Sequence, residues 1–228
     1  MKGKKGMKIG IIQAASQRDK NQLLYDTVKH AVGRYGHEVI NFGVFGEGRG
    51  VSSGLPEEIS YIETAINISF LLSAGAIDFI VTGCSSGQGM MLACNSLPGV
   101  LCGYAPTPQD AFLFERINDG NAVSLPLGLN FGWAAEVNLQ CTIEKLFDGP
   151  FGMGYPAKDA ERKRRDTLLL KQINQSSKIS WAELIDKIDQ QTLRRALGNR
   201  LAYDYTMKYG TDDKLKELLF AKQQILLQ

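Results

Sequence analysis

The sequence predicts an α/β protein: a three-layer, Rossmann-like domain with a five-stranded parallel sheet, followed by a C-terminal helical extension. Apolar runs of strand length alternate with stretches of helical periodicity over the first two thirds of the 228 residues. Such alternation favours parallel strands joined by helical crossovers. After the glycine- and proline-rich segment 148–156 no strand pattern appears and only amphipathic stretches follow. We therefore expect two domains, at 1–150 and 151–228.

The elements of the first domain follow one another in a regular order. Strands are predicted at 8–12, 38–42, 78–82, 100–104 and 122–125. Helices are predicted to follow them in turn, beginning at Ser16, about Glu57, the 84–89 loop, Thr107 and Asn130. Ser16 with Asp19 has the spacing of a capping box, and Thr107 precedes a proline, which favours a helix start. A glycine- and serine-rich loop that contains Arg49 is expected at 43–56.

The extension contains two further helix signals. Ser180 and Glu183 form a capping box, and apolar residues after it repeat on one helical face. Leucines between 215 and 226 predict a last amphipathic helix. Trp181 and Trp133 are expected to anchor the core or an interface. We expect the extension to pack on the sheet domain or on a second subunit.

Composition and charge exclude several classes of protein. The chain is 44% hydrophobic and 22% charged, as in globular proteins, and its net charge of +2 indicates neither a nucleic acid nor a membrane as partner. The longest apolar stretch, 65–83, is interrupted by polar residues, and no secretory signal is recognised. Four cysteines without a CxxC pair and two histidines predict a reduced, cytoplasmic protein without a histidine-rich metal site.

The segment with the strongest chemical signal is Cys84-Ser-Ser-Gly-Gln-Gly89, between a predicted buried strand and a predicted helix. The first N–H groups of a helix have no partner within it, so they can bind a phosphate or a developing oxyanion. The same field favours the thiolate form of a cysteine at that place. Cys84 is therefore a candidate reactive thiol. The alternative is that Cys84 is a small core residue and the glycines only permit close packing.

Over roughly residues 7–148 the sequence resembles the ribose-5-phosphate isomerase B and galactose-6-phosphate isomerase (RpiB/LacA/LacB) family. The motifs that carry the resemblance are the segments 7–11, 36–43, 83–90, 93–95, 98–99 and 118–121. The resemblance implies an aldose–ketose isomerase that acts on a small phosphorylated sugar. It also implies that the enzyme needs neither a metal nor an organic cofactor.

The resemblance further implies roles for residues of the glycine-rich loop. Cys84 would act as the base that moves a proton between C1 and C2 of the open-chain sugar through an enediolate. Ser86 occupies the place where the family usually has a threonine near the sugar oxygens, and we expect it to be catalytic with Cys84. The remaining loop residues would bind the substrate and stabilise the intermediate: Ser85, Gly87 and Gly89.

Residues outside the loop are also implied in substrate binding. Asn118 and Asn121 match the family's Asn-Asp-x-Asn turn, which can hydrogen-bond the enediolate oxygen. Arginines in the region of Arg162, Arg164 and Arg165 bind the phosphate in the family, often that of a neighbouring subunit. The resemblance therefore implies a homodimer or homotetramer with sites at the subunit interface.

Two departures from the family pattern keep other functions open. The family's aspartate and histidine after the first strand are replaced here by the segment 13–17, and the ring-opening histidine falls at Ala105-Pro106. One alternative is a sugar-phosphate sensor or binding protein that has lost catalysis. Another is a nucleotide-binding protein that uses residues 85–89 as a phosphate loop, although no acidic ribose contact lies at a fitting distance.

Overall fold

The computed structural model describes residues 6–45 and 59–227 of the chain. Most of the predicted glycine- and serine-rich loop, with Arg49, lies outside the described residues, as does the predicted helix start at Glu57. The five parallel strands are β1 Lys8–Ile11, β2 Glu38–Asn41, β3 Phe79–Cys84, β4 Cys102–Tyr104 and β5 Ala122–Pro126. The predicted sheet is thus confirmed.

The strands lie in the order β2-β1-β3-β5-β4. From β1 the chain passes to β2 on one side and then returns to place β3 on the other, so the strand order reverses between β1 and β3. In open parallel sheets, ligands bind outside the carboxyl ends of the strands at this reversal. The residues that follow Ile11 and those from Cys84 onward therefore border the expected ligand site.

Among the described residues, five α-helices belong to the sheet region and five to the extension. The first five are α1 Asn21–Gly33, α2 Tyr61–Ser73, α3 Gln88–Asn95, α4 Pro108–Leu113 and α5 Ala135–Leu146. The extension contains α6 Ala160–Ser176, α7 Trp181–Leu184, α8 Gln190–Leu197, α9 Arg200–Tyr209 and α10 Asp213–Leu226. A 3₁₀ segment, Ala15–Lys20, precedes α1, and a π-helical turn, Phe114–Asn118, continues α4.

Three helix starts differ from the sequence prediction: those of α1, α2 and α5, the last of which begins at Ala135 rather than at Asn130. α1 begins at Asn21 without a side-chain cap, so the capping box of Ser16 and Asp19 is wrong. The Ser16 hydroxyl instead accepts a hydrogen bond from the Ser85 hydroxyl at 3.3 Å, which ties it to the loop after β3. α2 begins at Tyr61, where Ser60 and Glu63 form a capping box.

The apolar core has one cluster on each face of the sheet. α1, α4 and α5 contribute to the first cluster, and α2, α3 and the extension contribute to the second. Trp181 is buried in this second cluster, where its ring packs at a tilt against that of Phe70, with the ring centroids 4.5 Å apart, and its indole N–H donates to Ser69 Oγ at 3.0 Å. The extension therefore packs on the sheet region of its own chain, and the domain boundary at 150 stays a prediction. No helix of the described parts is long and apolar enough to cross a membrane.

Candidate active site

A cavity of about 440 Å³ lies at the carboxyl ends of β1 and β3, where the strand order reverses. Three chain segments line it: the one that follows β1, the entry to α2 and the loop after β3. The lining residues are Ala14, Ala15, Ser16, Ile59, Ser60, Tyr61, Cys84, Ser85, Ser86 and Gly89. The predicted thiol and most of its loop thus border one ligand-sized space.

Cys84 is the last residue of β3 and is 9% exposed, at the wall of the cavity. The Gly87 N–H donates a hydrogen bond to its sulfur at 3.2 Å, and this contact would serve a thiolate as well as a thiol. The Ser86 hydroxyl accepts a hydrogen bond from the Gln88 N–H at 3.3 Å. The start of α3 therefore directs backbone donors toward the space beside the sulfur.

Ser85 joins the loops that follow three strands. Its hydroxyl accepts a hydrogen bond from the Gln17 amide at 2.9 Å, and its carbonyl accepts the N–H groups of Gly128 and Leu129 at 2.9 and 2.7 Å. The first of these contacts comes from the segment after β1 and the other two from the segment after β5. Ser85 therefore holds the carboxyl edge of the sheet together, besides lining the cavity.

The segment 13–17 follows β1, where the resemblance implies an aspartate and a histidine; Ala14 and Ala15 stand at those two places and line the cavity, whereas Gln13 precedes them. Gln13 is fully buried; its amide donates to Val44 O at 2.6 Å and accepts from the Asn21 amide at 2.8 Å. This side chain supports the loop rather than the cavity. Within the described ranges, the lining of the cavity contains no charged side chain and no histidine.

Asn118 and Asn121 are not brought to Cys84 within one chain. Cys84 pairs with Pro126 at the carboxyl end of β5, whereas Asn121 precedes the amino end of that strand. Five residues at about 3.3 Å each place them roughly 16 Å apart along the sheet. The Asn121 side chain accepts the Leu101 N–H at 2.8 Å and donates to the Gly99 carbonyl at 2.7 Å. Its amide thus fastens the loop before β4.

The predicted phosphate-binding arginines also lie away from this cavity. They are on the first turns of α6. Arg162 pairs with Asp166 at 3.0 Å, and Arg164 donates to the carbonyl of Met153 at 3.2 Å. Arg162, Arg164 and Arg165 are exposed, and none lines the Cys84 cavity.

A larger cavity, of about 680 Å³, opens at the opposite, amino-terminal edge of the sheet and includes Asn121. Two lysines of the extension line it: Lys171 pairs with Asp119, and Lys178 donates to the Val100 carbonyl at 2.6 Å. Burial lowers the pKa of Lys178. The described lining of this larger cavity includes neither a thiol nor an imidazole, and the Cys84 thiol borders the smaller cavity. Among the residues described, no cluster of His, Cys, Asp and Glu could hold a metal ion.

Sequence reasoning missed one wall of the Cys84 cavity. Ile59, Ser60 and Tyr61 form this wall, and a Cβ on Gly89 would lie 3.6 Å from the Tyr61 ring. The signal in the sequence was the pattern Ser60-x-x-Glu63, which marks a helix start. Because the helix start was predicted near Glu57, these three residues were assigned to the helix and not to a cavity wall.

Comparison with known proteins supports the resemblance over most of the chain. The family model described as ribose/galactose isomerase matches residues 10–145, more than half of the chain. A structure of a 4-deoxy-L-threo-5-hexosulose-uronate ketol-isomerase complexed with a tartrate is 35% identical, has a TM-score of 0.87 and covers 96% of this chain and 100% of its own. No curated protein sequence matches the chain.

Two further structures differ in how much of the chain they cover. Ribose-5-phosphate isomerase LacAB_rpiB from Vibrio parahaemolyticus is 34% identical, with a TM-score of 0.86, over 95% of this chain and 99% of its own. A ribose 5-phosphate isomerase from Thermotoga maritima is 25% identical, with a TM-score of 0.51, over 71% of this chain and 97% of its own. Some structures of this fold thus match nearly the whole of this chain, whereas others match only part of it.

Proposed function

The chain belongs to the ribose/galactose isomerase family and is an aldose–ketose isomerase; on that premise we propose that Cys84 is its catalytic base and Ser86 its second catalytic residue. The observation that supports this proposal is the position of the Cys84 sulfur, on the wall of the cavity at the strand reversal and beside the first N–H groups of α3. A thiol in that environment has both the access and the donors that proton transfer needs.

The reaction we propose is a proton transfer between two neighbouring carbons. The Cys84 thiolate removes the proton from the carbon beside the substrate carbonyl, and the electron pair of that C–H bond forms the enediolate. The thiol then returns the proton to the former carbonyl carbon. The Ser86 hydroxyl moves the accompanying proton between the two oxygens, and the N–H groups of the 85–89 loop stabilise the negative charge.

The proposed substrate is a small phosphorylated sugar, and a second copy of the chain would complete its site. The described lining of the cavity holds no cation, whereas Arg162, Arg164 and Arg165 are exposed on α6. That helix also exposes four large apolar side chains, Leu168, Leu169, Leu170 and Ile173. Exposed large apolar side chains on the helix that carries the arginines favour a homodimer in which α6 of one copy reaches the cavity of the other.

A keto-uronate is the second candidate substrate. The full-length similarity to the 4-deoxy-L-threo-5-hexosulose-uronate ketol-isomerase favours it. A sugar with no hydroxyl at C4 and a carbonyl at C5 cannot close the usual ring, so its isomerase needs no ring-opening group. This agrees with Ala14 and Ala15, which line the cavity at the places of the family's polar ligands and offer no polar side chain.

Solvent-deuterium exchange tests both the base and the substrate. The enzyme would be incubated in D₂O with ribose 5-phosphate or 4-deoxy-L-threo-5-hexosulose uronate, and NMR would follow deuterium entering at the carbon beside the carbonyl. Cys84→Ser should lower the exchange rate at least about 100-fold, and Cys141→Ser, at an exposed cysteine, should not change it.

The outcome distinguishes the alternatives. Undiminished exchange in the Cys84→Ser variant would refute the role of the thiol. Tight binding of sugar phosphates without exchange in the parent protein would indicate a sensor. A nucleotide that co-purifies with the protein would support the phosphate-loop alternative.

A further inference from the structure

The C-terminal extension contacts the entry to α2 through one ion pair. Arg195 of α8 donates from Nε to Oε1 of Glu63 at 2.7 Å, and its Nη2 lies 2.6 Å from the same oxygen. Glu63 is 1% exposed, and the two residues are 132 positions apart in the chain. A buried carboxylate is strongly destabilised when its partner is removed, so this contact fixes both elements.

The other oxygen of Glu63 holds Ser60, the N-cap residue of α2. Its Oε2 accepts the Ser60 N–H at 2.8 Å and the Ser60 hydroxyl, and that hydroxyl in turn accepts the Ile62 N–H at 3.1 Å. Burial opposes ionisation of Glu63, but the hydrogen bonds from Ser60 and Arg195 outweigh it and keep the pKa below its ordinary value. Both carboxylate oxygens are thus occupied.

This chain of contacts ends at the wall of the Cys84 cavity. Ser60 and Tyr61 line that cavity opposite the 84–89 loop, and the Tyr61 ring lies close to Gly89. α8 cannot shift freely, because Leu193, Ala196 and Leu197 are buried in the core. A continuous set of contacts, from Arg195 to Glu63 to Ser60, therefore links α8 to the cavity wall.

The comparisons agree with a role specific to the longer members. The two relatives with TM-scores of 0.86 and 0.87 cover at least 95% of this chain, whereas the Thermotoga maritima enzyme covers 71% of it while matching 97% of its own length. A shorter relative therefore forms its site without a counterpart to part of this chain.

We propose that Arg195 is a positioning residue: by binding Glu63 it holds the Ser60–Tyr61 wall where the substrate fits against the 84–89 loop. The extension thereby shapes the substrate space from outside the sheet region. The kinetic part of this inference rests on the proposed function, whereas the structural part does not.

Two measurements on the full-length protein test the proposal. In a Cys141→Ser background, which removes the exposed thiol, the rate of Cys84 alkylation by iodoacetamide reports access to the cavity. Arg195→Met should raise that rate roughly fivefold, because the wall opens locally. It should also lower kcat/KM about 10- to 100-fold, mostly through KM, because the substrate is misplaced.

Matched variants separate positioning from mere stability. Arg194→Met removes the same charge from an exposed neighbour on α8 and should match the parent in both measurements. Arg195→Lys keeps a charge but offers one donor group, so its values should fall between; it also carries the test if the methionine variant does not fold.

Three results decide the matter. If Arg195→Met lowers only the melting temperature and leaves alkylation and KM unchanged well below it, the positioning role is overturned. Faster alkylation with a raised KM establishes it. Faster alkylation in a protein whose Cys84→Ser variant still exchanges deuterium would uphold the positioning role while refuting Cys84 as the base.

Discussion

Replacing Gly87 by alanine should disrupt the loop that presents Cys84. Gly87 is the residue before α3 and has φ of +77°, a conformation that costs a residue with a Cβ about 1–2 kcal/mol. A Cβ there would lie 2.6 Å from the Tyr104 ring and 2.9 and 3.0 Å from the carbonyl carbon and oxygen of Leu125. The backbone of Leu125 cannot yield, because β5 is hydrogen-bonded between β3 and β4.

The two costs give the expected size of the effect. Forcing an additional carbon into packed surroundings costs about 1–3 kcal/mol. Together with the backbone term, Gly87→Ala should lower the free energy of unfolding by about 2–5 kcal/mol. Any relaxation must move Gly87, whose N–H donates to the Cys84 sulfur and whose carbonyl accepts the Ser124 hydroxyl at 2.6 Å. Activity should therefore fall in the fraction that still folds.

Gly89→Ala is the matched control, two residues further along. Gly89 lies in the first turn of α3, and the nearest described atoms to its new Cβ would be those of the Tyr61 ring, from 3.6 Å, which is ordinary van der Waals contact. Alanine is the better helix former by about 0.5–1 kcal/mol, so this variant should be at least as stable as the parent. Urea unfolding measures both variants. A Gly87→Ala variant within 0.5 kcal/mol of Gly89→Ala would refute the reasoning, 0.5 kcal/mol being about the scatter of harmless substitutions.

Two other predictions concern stability and assembly. Burial raises the pKa of Glu115 to about 8, although the charge of Arg116 opposes this. The folded protein then keeps a proton that the unfolded chain loses above the ordinary value of 4.5, so the free energy of unfolding should fall as pH rises between these values, by at most about 1.4 kcal/mol per pH unit. Glu115→Gln should flatten that slope in denaturant titrations; an unchanged slope would contradict the prediction. Trp181→Ala, at a buried side chain, should lower the free energy of unfolding by about 3–5 kcal/mol. Trp133→Ala, at a fully exposed side chain, should leave that free energy unchanged and weaken the proposed dimer, as measured by sedimentation. The reverse pattern would exclude both assignments.

The parts of the fold that depend on local chemistry could be predicted from the sequence. Thr107 caps α4 as expected, since its hydroxyl accepts the Asp110 N–H at 3.3 Å and Pro108 occupies the first turn. Ser16 has an equally good local pattern, yet a hydroxyl from the loop after β3 competes for it and no cap forms. A tertiary contact 69 residues away is invisible to a search over neighbouring positions.

The candidate site divides in the same way. Cys84 and its loop could be located because strand, glycines and helix start are contiguous, and the structure places them at one cavity. The wall at Ser60 depends on Glu63 and on Arg195, whose partner lies 132 positions away, so no local pattern reveals that contact. Asn121 matched a family motif, but its amide is engaged at the opposite edge of the sheet.

The Cys84 thiol and the arginines of α6 lie in different regions of the chain, and this separation favours a site formed by two copies. The cavity beside Cys84 offers backbone donors and hydroxyls, whereas the exposed leucines and the arginines are on α6. Under a two-fold axis each copy both gives and receives the same surface, so one interface completes two sites at once. In the described lining of this cavity, a monomer that bound an anionic substrate would offer its charge N–H and hydroxyl groups but no cationic side chain. Two observations thus favour the proposed dimer: an anionic substrate needs cations, which α6 carries, and the leucines of α6 are exposed. A neutral sugar as substrate would remove the first reason and leave the second.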